Sequence, residues 1–245
     1  MKIKDFTKKN IPEKYLNPVL EFKRGIQKRF TRKISYSQSG EDLILDFLLT
    51  HILKIKSITY LDLGAHHSSF LSNTFYFYKR GSTGVLVEPD PSLYLEIKKR
   101  RPEDKVLNVG VGVTNTREAD FYVFNYKELN TFSKEIAEET KEEAELKSII
   151  KMPLITVNKI LEENFIDCPS FISVDIEGLD LDIIRNLDFK KWRPAAVCVE
   201  TIRRSNREKI QEITDIMVQN NYEVYGETYI NTIYVNGDLN ISALR

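Results

Sequence analysis

The sequence predicts an α/β fold built on a nucleotide-binding βαβ unit, and three observations carry that prediction. Two apolar runs, Ile58–Leu63 and Thr83–Val87, flank a Gly64-Ala65-His66-His67 turn and an aromatic segment. Strand, turn, helix and second strand in that order form one half of a mononucleotide-binding unit. Four predicted strands end in or beside acids: Asp62, Glu88, Asp175 and Glu200. Ligands of open α/β sheets bind beyond the carboxyl ends of the strands, so these acids predict one shared cleft. The turn holds a single glycine instead of G-x-G-x-x-G, which disfavours a pyrophosphate-bound dinucleotide. A nucleoside cofactor without phosphates fits better, and a sulfonium such as that of S-adenosylmethionine suits a cleft lined with acids.

Composition agrees with one domain and additions. The chain has 245 residues; 42% are hydrophobic and 29% charged, which favours a packed core over disorder. Lys+Arg and Asp+Glu both number 36, so no overall charge points to nucleic acid. Basic residues nevertheless crowd positions 1–33. A basic helical leader is expected over residues 1–35, with its helix at 13–30. It would be a solvated element packing on the domain or a second subunit, with weak contact to an anionic membrane surface as the alternative. No run of ~18 apolar residues exists, so no spanning helix is expected. The start lacks a signal-peptide core, and Cys168 and Cys198 lack metal-ligand spacing. A cytoplasmic protein with two free thiols follows.

The remaining elements follow in order. Ser39, with Asp42 three residues on, reads as a helix start, and Leu43/Phe47 with Ile44/Leu48 give helical spacing over 40–53. The polar run Tyr36-Ser37-Gln38 suits a loop over a ligand. Phe75–Tyr78 reads mainly as packing against the sheet. Pro91 can start a helix that Pro102 stops. A third strand, Lys105–Val109, leads into Gly110-Val111-Gly112, where glycines would let the backbone approach a flat ligand. Residues 119–155 read as an insertion: a strand at Ala119–Asn125, a charged helix at Ser133–Lys147, and a return to the core at Leu154–Ile155. Strands at Phe171–Asp175 and Ala195–Glu200, a helix at 206–220, and an antiparallel pair, Tyr222–Glu227 with Thr232–Val235, complete the domain over 36–245. Trp192 fills space ahead of the fifth strand.

Several residues suit chemistry. An ionised Glu88 can accept two hydrogen bonds from a ribose diol, and it follows the glycine turn by about 20–25 residues. Gly64 admits a cofactor close to the backbone. His66 and His67 sit beside that turn, where an imidazole could accept a proton near neutral pH. Asp175 can take a proton or orient a histidine, and Glu177 either does the same or shapes the next helix. Asp175 and Glu200 together could hold a divalent cation. Arg203, Arg204 and Arg207 could face an anionic substrate, or form an exposed basic turn.

The motifs Ser37-Gln38-Ser39-Gly40-Glu41-Asp42, Asp62-Leu63-Gly64-Ala65-His66, Ser72-Asn73-Thr74, Glu88-Pro89 and Asp175-Ile176-Glu177-Gly178, with Glu200 closing a later strand, resemble the FkbM-type methyltransferases in order and spacing. The likeness runs from about residue 36 to the last strands. Where that family often carries a second glycine after the turn, this chain has His67-Ser68. The resemblance implies a Rossmann-like class I methyltransferase sheet and S-adenosylmethionine-dependent transfer, most often to a hydroxyl of a sugar or glycoside. A sugar-nucleotide acceptor and oligomer formation fit the same expectation. Cofactor contacts are then expected from Tyr36, Gln38, Gly40, Asp42, Asp62, Gly64, Ala65, Asn73, Glu88, Pro89, Val109 and Gly110. Catalytic roles are expected of His66, His67, Asp175, Glu177 and Glu200. An amine acceptor, a nicotinamide-dependent enzyme and a non-catalytic binding module are the competing readings; the single-glycine turn argues against the second, and the clustered acids against the third.

Overall fold

A computed structural model describes residues 33–114, 116–176, 178–203 and 207–239. The chain divides into two units, Met1–Ile34 and Ser35–Arg245, and the second is described below. The expected leader helix and its membrane contact lie outside the described residues, as do Glu177 and Arg204.

The first strand, β1 (Thr59–Leu63), is buried on both faces, and its side chains divide the core. Its odd positions, Leu61 and Leu63, join one cluster; Tyr60 joins the other. Beside β1 run β2 (Thr83–Val87) and β3 (Lys105–Leu107) on one flank, and β7 (Phe171–Val174) and β8 (Ala196–Glu200) on the other, all parallel. The antiparallel β10 (Asn231–Asn236) and β9 (Tyr222–Glu227) finish a seven-stranded sheet of order β3-β2-β1-β7-β8-β10-β9. The predicted antiparallel pair is therefore present.

Helices cover both faces. On one side α1 (Glu41–Asp46), continued by a π-helical run at Phe47–Ile52, packs Leu45, Leu48 and Leu49 onto the sheet. The short α2 (Phe75–Tyr78) adds Tyr76 and Phe77, and α3 (Pro91–Arg100) adds Ile97. The prediction that Pro91 starts a helix holds, with the Asp90 carboxylate accepting from the N–H of Ser92 and Leu93. On the other side, α5 (Val157–Asn164), α6 (Asp180–Asn186) and α7 (Gln211–Gln219) bury Ile160, Leu161, Ile184, Ile213 and Met217. Each such side chain removed from water stabilises the fold by about 1.5–3 kcal/mol.

The insertion departs from the sequence-based reading. The expected Ser133–Lys147 helix ends early, as α4 (Lys134–Thr140). Ser133 does cap it, accepting from the N–H of Ile136. From Leu146 the chain runs instead as an eleven-residue strand, β6 (Leu146–Thr156), antiparallel to β5 (Glu118–Phe124). The chain turns at 141–144, and ladder pairing that begins with Leu146 opposite Phe124 overrides the helix propensity at the end of the charged run. β6 also pairs in parallel with β4 (Gly110–Gly112), making a second, three-stranded sheet.

One buried cation joins β1 to the helices. Arg101 has no exposed surface. Its Nε donates to Asp104 at 2.7 Å, while its two Nη atoms reach Thr74 Oγ1 and the Tyr60 hydroxyl, each at 3.1 Å. Thr74 in turn donates to Asp62 at 2.5 Å. Removing one partner of a buried pair leaves the other charge uncompensated in low dielectric. Arg101→Met is expected to cost about 3–5 kcal/mol of stability, visible as a lower urea midpoint with an unchanged slope.

Candidate active site

The strand order reverses at β1, between β2 and β7. At that switch point the ends of four strands meet. Gly64, Glu88, Asp175 and Glu200 all line one cavity of about 340 Å³. The predicted gathering of strand-end acids is present for three of the four. Asp62, the fourth, lies inside β1 short of the strand end, outside the cavity wall, and is spent on Thr74. Burial raises the Asp62 pKa.

Gly64 is required by two constraints. Its φ is 83°, in the left-handed region that side chains avoid. A Cβ there would stand 1.8 Å from the carbonyl oxygen of Asp175. That carbonyl comes so close because Asp175 N donates to Leu63 O at 3.0 Å, zipping the ends of β7 and β1 together.

Glu88 shapes the turn that follows. One carboxylate oxygen accepts from the N–H of His66 at 2.8 Å, the other from the N–H of Asp90 at 2.7 Å. Burial nevertheless dominates and pushes its pKa up to about 8. The His66 backbone is held at φ 53°, a left-handed conformation uncommon outside glycine. The His66 ring lines the cavity, 3.7 Å from Glu128 across a Nε2–Oε1 pair. Burial lowers its pKa, so the ring is neutral near pH 7 and can accept a proton.

His67 is placed differently. Its Nδ1 accepts from the N–H of Ser69 at 3.1 Å and of Phe70 at 3.0 Å, and the ring is not part of the cavity wall. It holds the turn. Ala65 is a core residue, and Asn73 donates to Ser173 Oγ at 3.1 Å beneath the sheet end.

The Ser37–Asp42 motif folds around two buried carboxylates. Asp42 accepts from Ser35 Oγ at 2.7 Å, Tyr36 N at 2.7 Å and Ser37 Oγ at 3.0 Å. Glu41 accepts from Ser39 N at 2.8 Å and from Thr228 at 2.7 Å. The helix start falls at Gly40, φ 93°, so Ser39 is not the cap that its position suggests. Tyr36 packs edge-on against Phe75 with ring centroids 4.9 Å apart. The loop thus presents Gln38 to the cavity, while Tyr36, Gly40 and Asp42 shape it from behind.

The far wall comes from the insertion. Lys127, Glu128 and Phe132 line it, opposite Pro89 and Val109. Asp90 seats this wall: its Oδ2 accepts from Lys127 Nζ at 2.5 Å and Asn130 Nδ2 at 2.9 Å. Burial pushes its pKa up, but the bonds from Lys127, Ser92 and Leu93 outweigh this and hold it below the usual range. Gly110 is not a ligand approach as expected. It lies inside β4, where a Cβ would meet Phe132 at 2.4 Å and Leu154 at 2.6 Å, so the glycine admits the insertion. Glu128 and Phe132 carried no signal in the sequence, since an acid in a charged run and an aromatic before a helix are both ordinary. Asp180 was also missed. It anchors the loop after β7 by accepting from the N–H of Ile176 and Gly178. Among the described residues no three His, Cys, Asp or Glu side chains converge as metal ligands, so the cation expected at Asp175 and Glu200 finds no support. No helix among the described residues is long and apolar enough to cross a membrane.

The sheet order with its reversed strand, and a lone-glycine turn at the switch point, make this a Rossmann-like α/β sheet. The family model for the methyltransferase FkbM domain matches residues 62–224, more than half of the chain. The chain belongs to that family and is a methyltransferase of the S-adenosylmethionine-dependent class. No curated protein matches it. Among solved structures it is similar to a TehB-like SAM-dependent methyltransferase from Corynebacterium glutamicum, at 10% identity and TM-score 0.44, covering 92% of this chain and 100% of that one. It is also similar to an O-methyltransferase from Bacillus cereus in complex with SAH, at 11% identity and TM-score 0.41, covering 91% and 90%.

Gly64→Ala should strain both the backbone and the β1–β7 junction. A destabilisation of roughly 2 kcal/mol or more is expected, seen as a fall of roughly 5 °C or more in thermal unfolding. A substitution that leaves Tm unchanged would contradict the close approach.

Proposed function

We propose that this protein transfers a methyl group from S-adenosylmethionine to a hydroxyl of a sugar or sugar-nucleotide acceptor. The observation that carries the reading is the convergence of Gly64, Glu88, Asp175 and Glu200 on one cavity at the switch point. The residues present fit the cofactor. Glu88 is an acceptor whose oxygens each accept one N–H and keep a further lone pair, as a vicinal diol needs. Gly64 contributes bare backbone to the cavity wall, and Pro89, Val109 and Phe132 offer an apolar seat for a flat base. Gln38 faces the same cavity from the N-terminal loop.

When bound, the cofactor supplies a methyl group on a sulfonium, which needs little electrophilic help. What the protein must supply is alignment and a destination for the hydroxyl proton. Asp175 lies in the cavity wall at the end of β7, next to the glycine turn, and is placed to take that proton. His66, neutral because it is buried, is the second candidate base on the opposite side of the turn. Glu200 can accept a hydrogen bond from another acceptor hydroxyl. His67 leaves the catalytic set, since its ring nitrogen is engaged with the turn backbone.

Calorimetric titration with S-adenosylhomocysteine is expected to show binding in the wild type; no measurable binding would remove the proposal. Asp175→Asn and His66→Ala should each lower kcat by about 10²–10⁴ with little change in cofactor affinity, measured by mass spectrometry of sugar nucleotides gaining one methyl. Equal turnover would rule out their roles.

Glu88 predicts a pH dependence. Diol binding favours its ionised form, whereas burial favours the protonated form up to about pH 8. Affinity for S-adenosylhomocysteine should therefore rise with pH towards a plateau above 8, and weaken by up to about tenfold per unit below it. Glu88→Gln should bind more weakly and lose this dependence.

A further inference from the structure

Beyond β8 the chain makes a tight hairpin that returns to the cavity. Ile202 and Lys209 form a β-bridge, Arg203 N donates to Glu208 O at 2.8 Å, and Ile210 N donates to Thr201 O at 2.7 Å. Within it Arg207 adopts φ 60°, a left-handed conformation that costs a side-chain-bearing residue energy and is found disproportionately at functional sites. The hairpin sorts the arginines that follow Glu200. Arg203 turns away to pair with Glu212 at 3.8 Å. Arg207, exposed at the mouth, contributes to the cavity wall beside Ile202, Ile230 and Leu179.

The other cation in that wall, Lys127, is already paired with Asp90. Among the described residues, Arg207 is the cavity-lining cation without a carboxylate partner. The lining side chains beside it, Ile202, Ile230 and Leu179, are aliphatic and offer its guanidinium no acceptor. The strand ends line the cavity with the acids Glu88, Asp175 and Glu200, whereas Arg207 puts a cation at the mouth. We propose that the acceptor carries a phosphate or diphosphate group and that Arg207 binds it, leaving a hydroxyl at the other end of the acceptor facing Asp175. A guanidinium fork matches two phosphate oxygens, which distinguishes it from a lysine point charge. The inference rests on the methyl-transfer reading for the direction of the acceptor.

The test uses the full chain saturated with S-adenosylhomocysteine, titrated with UDP-glucose, with glucose 1-phosphate and with methyl glucoside. Both phosphate probes should bind, and Arg207→Ala should weaken them about tenfold or more while methyl glucoside is unaffected. Arg207→Lys should recover part of the loss. Cofactor affinity should stay unchanged in both variants, which also verifies that they fold. Equal affinity of the two probes would assign the site to a sugar phosphate; tighter UDP-glucose would assign it to a nucleotide sugar. Absence of phosphate-probe binding, or identical binding by wild type and Arg207→Ala, would overturn the proposal. So would a tenfold loss of S-adenosylhomocysteine affinity, which would give Arg207 to the cofactor. Failure of wild type to bind S-adenosylhomocysteine would instead remove the methyl-transfer reading itself.

Discussion

A fully buried guanidinium organises this domain. Arg101 cannot be left uncompensated, because desolvating a charge costs several kcal/mol unless it is paired and hydrogen-bonded. The partners it demands come from separate elements. Asp104 precedes β3, Tyr60 lies in β1, and Ser72 and Thr74 close the long turn after Gly64. Meeting that demand draws the far end of the turn down onto the sheet. Glu88 holds the near end through His66 N. A turn tied at both ends keeps a strained His66 backbone in place, and that puts its ring in the cavity.

The acids of this chain divide by place. Asp62, Asp42, Glu41, Asp90 and Asp180 have their oxygens occupied by backbone or side-chain donors, and they fold loops. Glu88, Asp175 and Glu200 reach the cavity at the ends of their strands. Residue type does not separate the two groups. Position along the strand and loop path do: Asp62 shares its face with Glu88, Asp175 and Glu200 but lies inside β1, where Thr74 reaches it, while the other three stand beyond or at the strand ends. Gly64, just past the end of β1, carries no side chain, and the room this leaves is taken by the Asp175 carbonyl that closes β7 onto β1.

The insertion is more than an appendage. Asp90 caps α3 with one oxygen and grips Lys127 and Asn130 with the other, while its own N–H binds Glu88. One residue therefore connects the proposed ribose ligand, a helix start and the cavity's outer wall. Gly110 makes room for the same contact by letting Phe132 reach β4. Together they raise an outer wall over the strand-end crevice.

The βαβ unit, the lone-glycine turn, the strand-end acids and the antiparallel pair at the end were all legible in the sequence, because each rests on local periodicity and short spacing. The charged run at 133–147 was misread for the same reason: local propensity favoured a helix, and only pairing with a strand some thirty residues earlier made Leu146–Thr156 extended. The roles of single residues within a motif were also decided by the tertiary structure. His66 and His67 are identical neighbours, yet a left-handed backbone sends one ring into the cavity and leaves the other capping a turn. Arg203 and Arg207 differ only in position, yet one pairs with Glu212 and the other lines the cavity. The sequence by itself determined which chemistry was present and near which strand ends. Which copies of that chemistry face the cavity depended on contacts between segments far apart in the chain, and no local pattern encodes those.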